Sequence, residues 1–372
     1  MKLVVISSSP FIYKNGSAYA YSPYVNELAI WARHADKVGF FCPTWENDNG
    51  LLISKIPFEI SKVFTAKEFN IKTPRNFLKA FRDSFSNFYQ IYQSMKWADH
   101  IHLRCPGNIG LMGCMVQILF PNKPKTAKYA GNWDPKSNQP WSYKLQQWIL
   151  SSTFLTKNMK VLVYGEWEES SKNIKPFFTA TYLESDKTPV VIRDVNTTIT
   201  FVYVGMLAPG KRPLYAVKLV ENLYKKGLNV RLSLYGNGQE RNNLEQYILS
   251  NRLTEVIALK GNQPQEIIKK AFQESHFVIL PSESEGWPKV IAEGMFWGCV
   301  PVATSVSCVP TMLDNGNRGI LLNLNVEEDT TRIMELIHNP EGYKEMAEHG
   351  LHWSRKYTLD FFEEEIAQLL KS

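Results

Sequence analysis

The sequence predicts an α/β protein built from two Rossmann-like domains with parallel sheets, and three features lead there. Its 372 residues exceed one ordinary core and fit two domains of typical size. From Thr200 onward short β-branched runs alternate with helical patterns, the arrangement of a parallel sheet covered by helices. The front half repeats that alternation more loosely.

In the front half apolar strands are expected at Leu3–Ile6, Val38–Phe41, His100–Leu103, Thr126–Tyr129 and Val161–Tyr164. The opening MKLVVISSSP has one basic residue and an apolar run too short for a signal-peptide core, so it reads as a buried strand. Ile109–Phe120, the longest apolar candidate, has the length of a core helix and falls short of the roughly 20 residues of a membrane span. The polar stretch Glu184–Thr198 breaks the periodicity and is expected to link the domains. Strands then follow at Thr200–Val204, Val230–Tyr235, Val256–Leu259, Phe277–Leu280, Pro301–Thr304 and Gly319–Leu322. The last helical pattern, Leu359–Leu370, is expected to pack back on the front domain. The expected division is therefore 1–187, 188–355 and a closing helix in 356–372.

The five cysteines, Cys42, Cys105, Cys114, Cys299 and Cys308, are scattered, with no Cys-x-x-Cys pair for zinc or redox chemistry, and read as reduced thiols of a cytoplasmic protein. Charge is lopsided: residues 1–187 carry 23 Lys+Arg against 14 Asp+Glu, and the remainder 19 against 22. The front half, at about +9, favours anionic partners such as acidic lipid headgroups at the inner face of a cell membrane. Dispersed basic residues without a recognised motif argue against nucleic acid.

The most informative segment is LPSESEGWPKVIAEGMFWGCVP, Leu280–Pro301, in which a buried strand ends in a polar turn and a helix is expected to begin near Trp287. Ligands of open α/β sheets sit beyond the carboxyl ends of strands, and a helix starting there points unpaired N–H groups at phosphate. Glu285 falls in the turn and Glu293 eight residues later. An ionised carboxylate offers charge-assisted acceptors to paired hydroxyls, so one suits a sugar and the other a ribose. Alone, two Glu at this spacing say little, since surface helices carry many.

The surrounding frame resembles the Glu-x7-Glu motif of retaining glycosyltransferases of family 4. It runs Pro281-Ser282, then Glu285-Gly286-Trp287-Pro288 followed by Lys289, Glu293-Gly294, and Gly298-Cys299 before Pro301-Val302. Upstream, VGMLAPGKRP resembles the family's Gly-Arg-Leu turn, with Gly205 permitting close backbone approach and Lys211 facing the β-phosphate; Met206 stands where the family has arginine, and Arg212 is the candidate substitute. YGNGQE, with Gly236, and LKGNQP, with Asn262, resemble further donor-side turns. Arg241 stands where a third dinucleotide-fingerprint glycine would fall, which argues against a nicotinamide cofactor.

The resemblance implies a GT-B fold, two Rossmann-like domains facing across a cleft, with acceptor at the front and donor at the back. It implies transfer of a sugar from a UDP- or GDP-sugar to a glycan or lipid-linked hydroxyl acceptor, with retention, in bacterial surface polysaccharide synthesis. No Asp-x-Asp pair is present to hold a divalent cation, so no metal and no cofactor beyond the sugar nucleotide is expected. For the acceptor, Asn15-Gly16 is the one counterpart of the family's glycine-rich loop. The front-domain histidine has no match near Gly131, so no catalytic histidine is assigned. Asn132, Trp133 and Asp134 are the acceptor candidates at one strand end and Arg104 at another, Trp133 as a ring platform. His100 and His102 read as structural. The rival readings are a sugar-nucleotide epimerase or phosphorylase on the same plan, and a non-catalytic glycan-binding protein.

Overall fold

A computed structural model describes residues 1–67, 74–167 and 170–371. The chain forms two compact units, Met1–Phe177 with Glu363–Ser372, and Phe178–Phe362.

The first unit comprises β1 (Lys2–Ile6), β2 (Phe11–Lys14), β3 (Ser17–Tyr21), α1 (Ser22–Arg33), β4 (Lys37–Cys42), β5 (Thr44–Trp45), β6 (Ile53–Lys55), β7 (Lys62–Thr65), α2 (Pro74–Trp97), β8 (His100–Cys105), α3 (Asn108–Val116), β9 (Lys125–Tyr129), α4 (Trp141–Ser151), β10 (Met159–Tyr164) and β11 (Ile174–Phe177). Seven strands make a parallel sheet ordered β11-β10-β9-β8-β1-β4-β7. β1 and β4 are apolar on both faces, as a covered parallel sheet requires, whereas the central β8 and β9 bury His100, His102, Thr126 and Lys128 beside their apolar residues. A separate sheet, β5-β2-β3-β6, was not expected from the sequence; its strands are two to five residues long and carry polar residues out of alternation. Asn15 and Gly16 form its hairpin tip, both at positive φ (49° and 71°), the backbone that favours Asn-Gly between antiparallel strands.

The second unit comprises β12 (Ile199–Val204), α5 (Pro213–Lys225), β13 (Val230–Tyr235), α6 (Arg241–Ser250), β14 (Ile257–Gly261), α7 (Gln265–Glu274), β15 (Phe277–Leu280), α8 (Lys289–Phe296), β16 (Val300–Thr304), α9 (Val309–Met312), β17 (Ile320–Leu322), α10 (Val326–Ile337) and α11 (Pro340–Ser354); α12 (Leu359–Lys371) starts in it and belongs from Glu363 to the first unit. The sheet, ordered β14-β13-β12-β15-β16-β17, is parallel throughout.

The stretch expected as a linker is instead tied down, and the division falls at Phe177/Phe178 rather than 187/188. Arg193 donates to the carbonyls of Phe272, Gln273, Trp297 and Gly298 at 2.6–3.0 Å, so one guanidinium fork clamps the ends of α7 and α8. Among the described residues no helix is long and apolar enough to cross a membrane.

Candidate functional site

The donor-side residues lie on loops at the carboxyl edge of the second sheet, and the main chain fixes those loops to one another. Gly205 N donates to Tyr235 O at 2.9 Å, Leu207 N to Asn237 O at 3.0 Å, Gly236 N to Gly261 O at 2.9 Å and Glu283 N to Gly210 O at 2.8 Å. Four strand ends are thereby stitched together. The approach is close enough to demand glycine: a Cβ at Gly236, where φ is 140°, would lie 1.9 Å from the Gly205 carbonyl oxygen, and one at Gly238 would lie 2.3 Å from that of Leu207. The sequence reading gave the close approach to Gly205. A Cβ there meets only the Tyr203 side chain, its hydroxyl oxygen at 3.6 Å, an ordinary contact, so the steric requirement sits on the opposing loop.

On this frame Lys211 Nζ lies 2.5 Å from Glu285 Oε1, with side chains 33% and 10% exposed. The neighbouring Arg212, in left-handed backbone at the start of α5, lies 3.1 Å from Glu283 Oε1. Two adjacent cations thus face two carboxylates of the 283–285 turn. The Ser282 hydroxyl beside them is buried and has no hydrogen-bond partner among the described residues. Burial and the nearby Glu285 charge push the Tyr203 phenol up, so it stays protonated and donates to the Met206 carbonyl at 3.1 Å. The Met206 side chain itself is exposed.

Helix α8 starts at Lys289, two residues later than expected, because Pro288 holds an extended backbone as its N-cap. The Gly286 carbonyl faces the Cys308 thiol at 3.0 Å, and Trp287 stacks on Trp353 and meets Tyr357 edge-on, which makes its ring part of the packing beneath the turn. Asn262 is exposed on the turn after β14. Glu293 is turned to Thr181, whose hydroxyl donates to it at 2.6 Å, and it lines a small cavity with Lys289. Burial raises its carboxyl above the usual glutamate value, against the opposing pull of Thr181 and Lys289. No contact among the described residues joins Glu293 to the Lys211–Glu285 pair.

The front-half candidates disperse. Trp133 is 5% exposed and meets Tyr129 edge-on, so it is a core ring and not a platform. Asp134 accepts from Lys136 N at 2.8 Å and its own N–H is held by Asn132 Oδ1 at 2.9 Å, an Asx-turn pattern that explains both residues through local backbone. Arg104 pairs with Glu27, which also takes the fully buried Lys128 at 2.8 Å. Burial works against charge on Arg104, but Glu27 overrides it and the guanidinium's pKa is raised. The sequence reading missed this three-residue network because its members lie 77 and 101 positions apart. His100 and His102 share the Thr126 hydroxyl at 3.0 and 2.9 Å; burial lowers both, His100 to about 4, and keeps them neutral.

Chemically, the Lys211–Arg212 pair of cations facing the 283–285 turn can take a polyanion. A phosphate arriving at Lys211 and Arg212 replaces their carboxylate partners and frees Glu285 to accept from hydroxyls.

Residues 185–353 match the family described as glycosyl transferases group 1. A glycosyltransferase of Methanocaldococcus jannaschii is 27% identical over 178 residues, 45% of this chain and 49% of that protein. The chain thus spans about half the length of the curated relatives it matches first. Among solved structures, the lipopolysaccharide outer core galactosyltransferase WaaB superposes with a TM-score of 0.70 at 15% identity, each chain covered fully. Anabaena HepE in complex with UDP and glucose gives 0.67 at 15% identity, covering 100% of this chain and 99% of that one. The site built on Lys211 and Glu285 therefore lies in the segment that matches glycosyl transferases group 1, in a chain that shares the GT-B fold of its structural neighbours.

Proposed function

We propose that this protein moves a sugar from a UDP- or GDP-sugar to a hydroxyl acceptor, with retention of anomeric configuration and without a metal ion. The observation that carries the reading is the Lys211–Glu285 pair, 2.5 Å apart at the sheet edge of the group 1 domain. In the reaction the bond from the anomeric carbon to the diphosphate breaks and one to the acceptor oxygen forms, the acceptor proton leaving with the diphosphate. Lys211 and Arg212 balance the charge that grows on the leaving oxygens, and Glu285 orients the sugar through its hydroxyls. Glu293 serves the ribose. Asn15, Gly16 and Asn132 keep exposed or turn positions in the front unit from which an acceptor can be bound. The neighbours' names support a bacterial surface glycan as setting; the excess of basic residues in the front half fits a lipid-linked acceptor and peripheral contact with an anionic membrane face.

The test is a thermal-shift screen of nucleoside diphosphates followed by product analysis with each donor that binds. UDP or GDP raises the melting point, because a ligand of the folded state stabilises by mass action. Transfer persists in excess chelator; complete loss restored by a divalent ion sinks the metal-free account. Donor incubated alone that returns an epimer points to an epimerase. Absence of any shift at millimolar nucleotide leaves a glycan-binding protein as the better reading.

A further inference from the structure

Helices α2, α3 and α4 cover one face of the first sheet: Ile91, Met112 and Ile149 pack from them onto Val4, Ile101 and Val161. With its apolar side so used, the outer side of such a helix is normally polar. On α4 it is not. Trp141, Lys144 and Trp148 follow one another at helical spacing on the outward stripe, opposite the buried Ile149 and Leu150, and the two tryptophans are 75% and 64% exposed. Phe154, just past the helix, is 77% exposed with the Lys157 ammonium 5.6 Å from its ring, and Leu119, after α3, is also exposed. Single exposed apolar residues need no explanation, but four large ones on adjoining elements do.

The charge around them is one-sided. Of the basic residues between Asp99 and Glu166, Lys136, Lys144, Lys157 and Lys160 are exposed, and the stretch holds a single carboxylate, Asp134, which is turned to its own backbone. Where α4 ends, a groove of about 680 Å³ opens, lined by Thr153, Lys157, Lys160 and Lys172 among others.

We propose that the outer face of α4, with Phe154 and the lysine-lined groove, is the surface by which this protein docks on an anionic lipid bilayer. Tryptophan prefers the bilayer–water boundary, where its ring is buried and its N–H stays wet, and lysines flanking it meet acidic headgroups. A second copy of the chain is the poorer occupant, because a two-fold interface would set this lysine-rich, carboxylate-poor surface against itself. The inference rests on the membrane contact proposed above and gives it a place; it is independent of the transfer chemistry.

Flotation with vesicles of phosphatidylcholine alone, and with about a third phosphatidylglycerol, tests it. The intact protein binds the anionic vesicles. W141S/W148S lowers the partition coefficient by on the order of tenfold to a hundredfold, as expected for withdrawing two half-inserted rings. K144Q/K157Q lowers it roughly fivefold per lysine on anionic vesicles and leaves neutral vesicles unaffected. The UDP-induced melting shift is unchanged in both variants, which shows that they are folded. If the intact protein ignores both vesicles, membrane contact itself fails. If W141S/W148S binds as well as the intact protein, contact exists but this face is wrong. A dimer dispersed by W141S/W148S, with no vesicle binding, makes the face a self-interface and overturns the proposal.

Discussion

Replacing Lys211 by alanine separates what the ion pair does for folding from what it does for ligands. Glu285 is only 10% exposed, so without Lys211 its carboxylate stays largely dehydrated and unpaired, whereas Lys211, 33% exposed, can turn to water if Glu285 is neutralised. Unpairing a fully buried charge costs about 3–5 kcal/mol, and an exposed pair is worth less than about 1 kcal/mol. The half-open geometry places Lys211→Ala between these, at about 2 kcal/mol, and Glu285→Gln below about 1 kcal/mol. Phe178–Phe362 is a unit of intermediate size, so about 2 kcal/mol lowers its melting temperature by roughly 4–8 °C. Calorimetry on the two single variants and the double variant reads the asymmetry, and the double should recover most of the loss. The same variant should bind UDP on the order of tenfold to a hundredfold more weakly, the loss of one charge-assisted hydrogen bond, and UMP only a few-fold more weakly. Equal destabilisation by Lys211→Ala and Glu285→Gln refutes the dehydrated-carboxylate argument, and equal loss of mono- and diphosphate removes Lys211 from the β-phosphate.

Glu285→Gln should fold and cut turnover by orders of magnitude, as steady-state kinetics with the identified donor would read; unaltered turnover takes Glu285 out of the site. Gly236→Ala forces a Cβ to within 1.9 Å of the Gly205 carbonyl oxygen and should cost several kcal/mol in urea unfolding while weakening UDP binding; wild-type stability means that the loops are not held as described. Glu293 has a raised carboxyl, so the native state prefers it protonated: its contribution is most favourable below the ordinary glutamate range and is lost as pH rises through the folded value. Glu293→Gln should therefore flatten the rise in stability on acidification from neutral pH, and weaken donor binding more than turnover if the side chain reaches the ribose.

The strands of both large sheets were legible because burial writes them either as a continuous apolar run, as in Phe277–Leu280, or as apolar residues in strict alternation, as in Val230–Tyr235. The 280–301 segment was legible because one local frame carries turn, helix start and both glutamates. Other features depend on what meets in space. Trp133 reads as a ring beside polar groups until Tyr129 packs against its edge, and Arg104 reads as a free cation until Glu27 arrives from α1. Arg193 sits in polar sequence that resembles a linker, and only the carbonyls of two distant helix ends reveal it as a clamp. Short, polar strands such as Thr44–Trp45 leave no periodic trace at all.

The main-chain stitching of the sheet-edge loops also determines which residues there are free to change. Because Gly205, Leu207, Gly236 and Gly261 are joined through amides and carbonyls, the shape of the loop carrying Lys211 does not depend on the side chain at position 206. Met206, where the resembled family has arginine, leaves these main-chain bonds in place, so the charge of the edge and its geometry are set by different atoms. The steric demand falls on glycines 236 and 238, while the cations Lys211 and Arg212 stand on a backbone whose course those glycines and the amide bonds set.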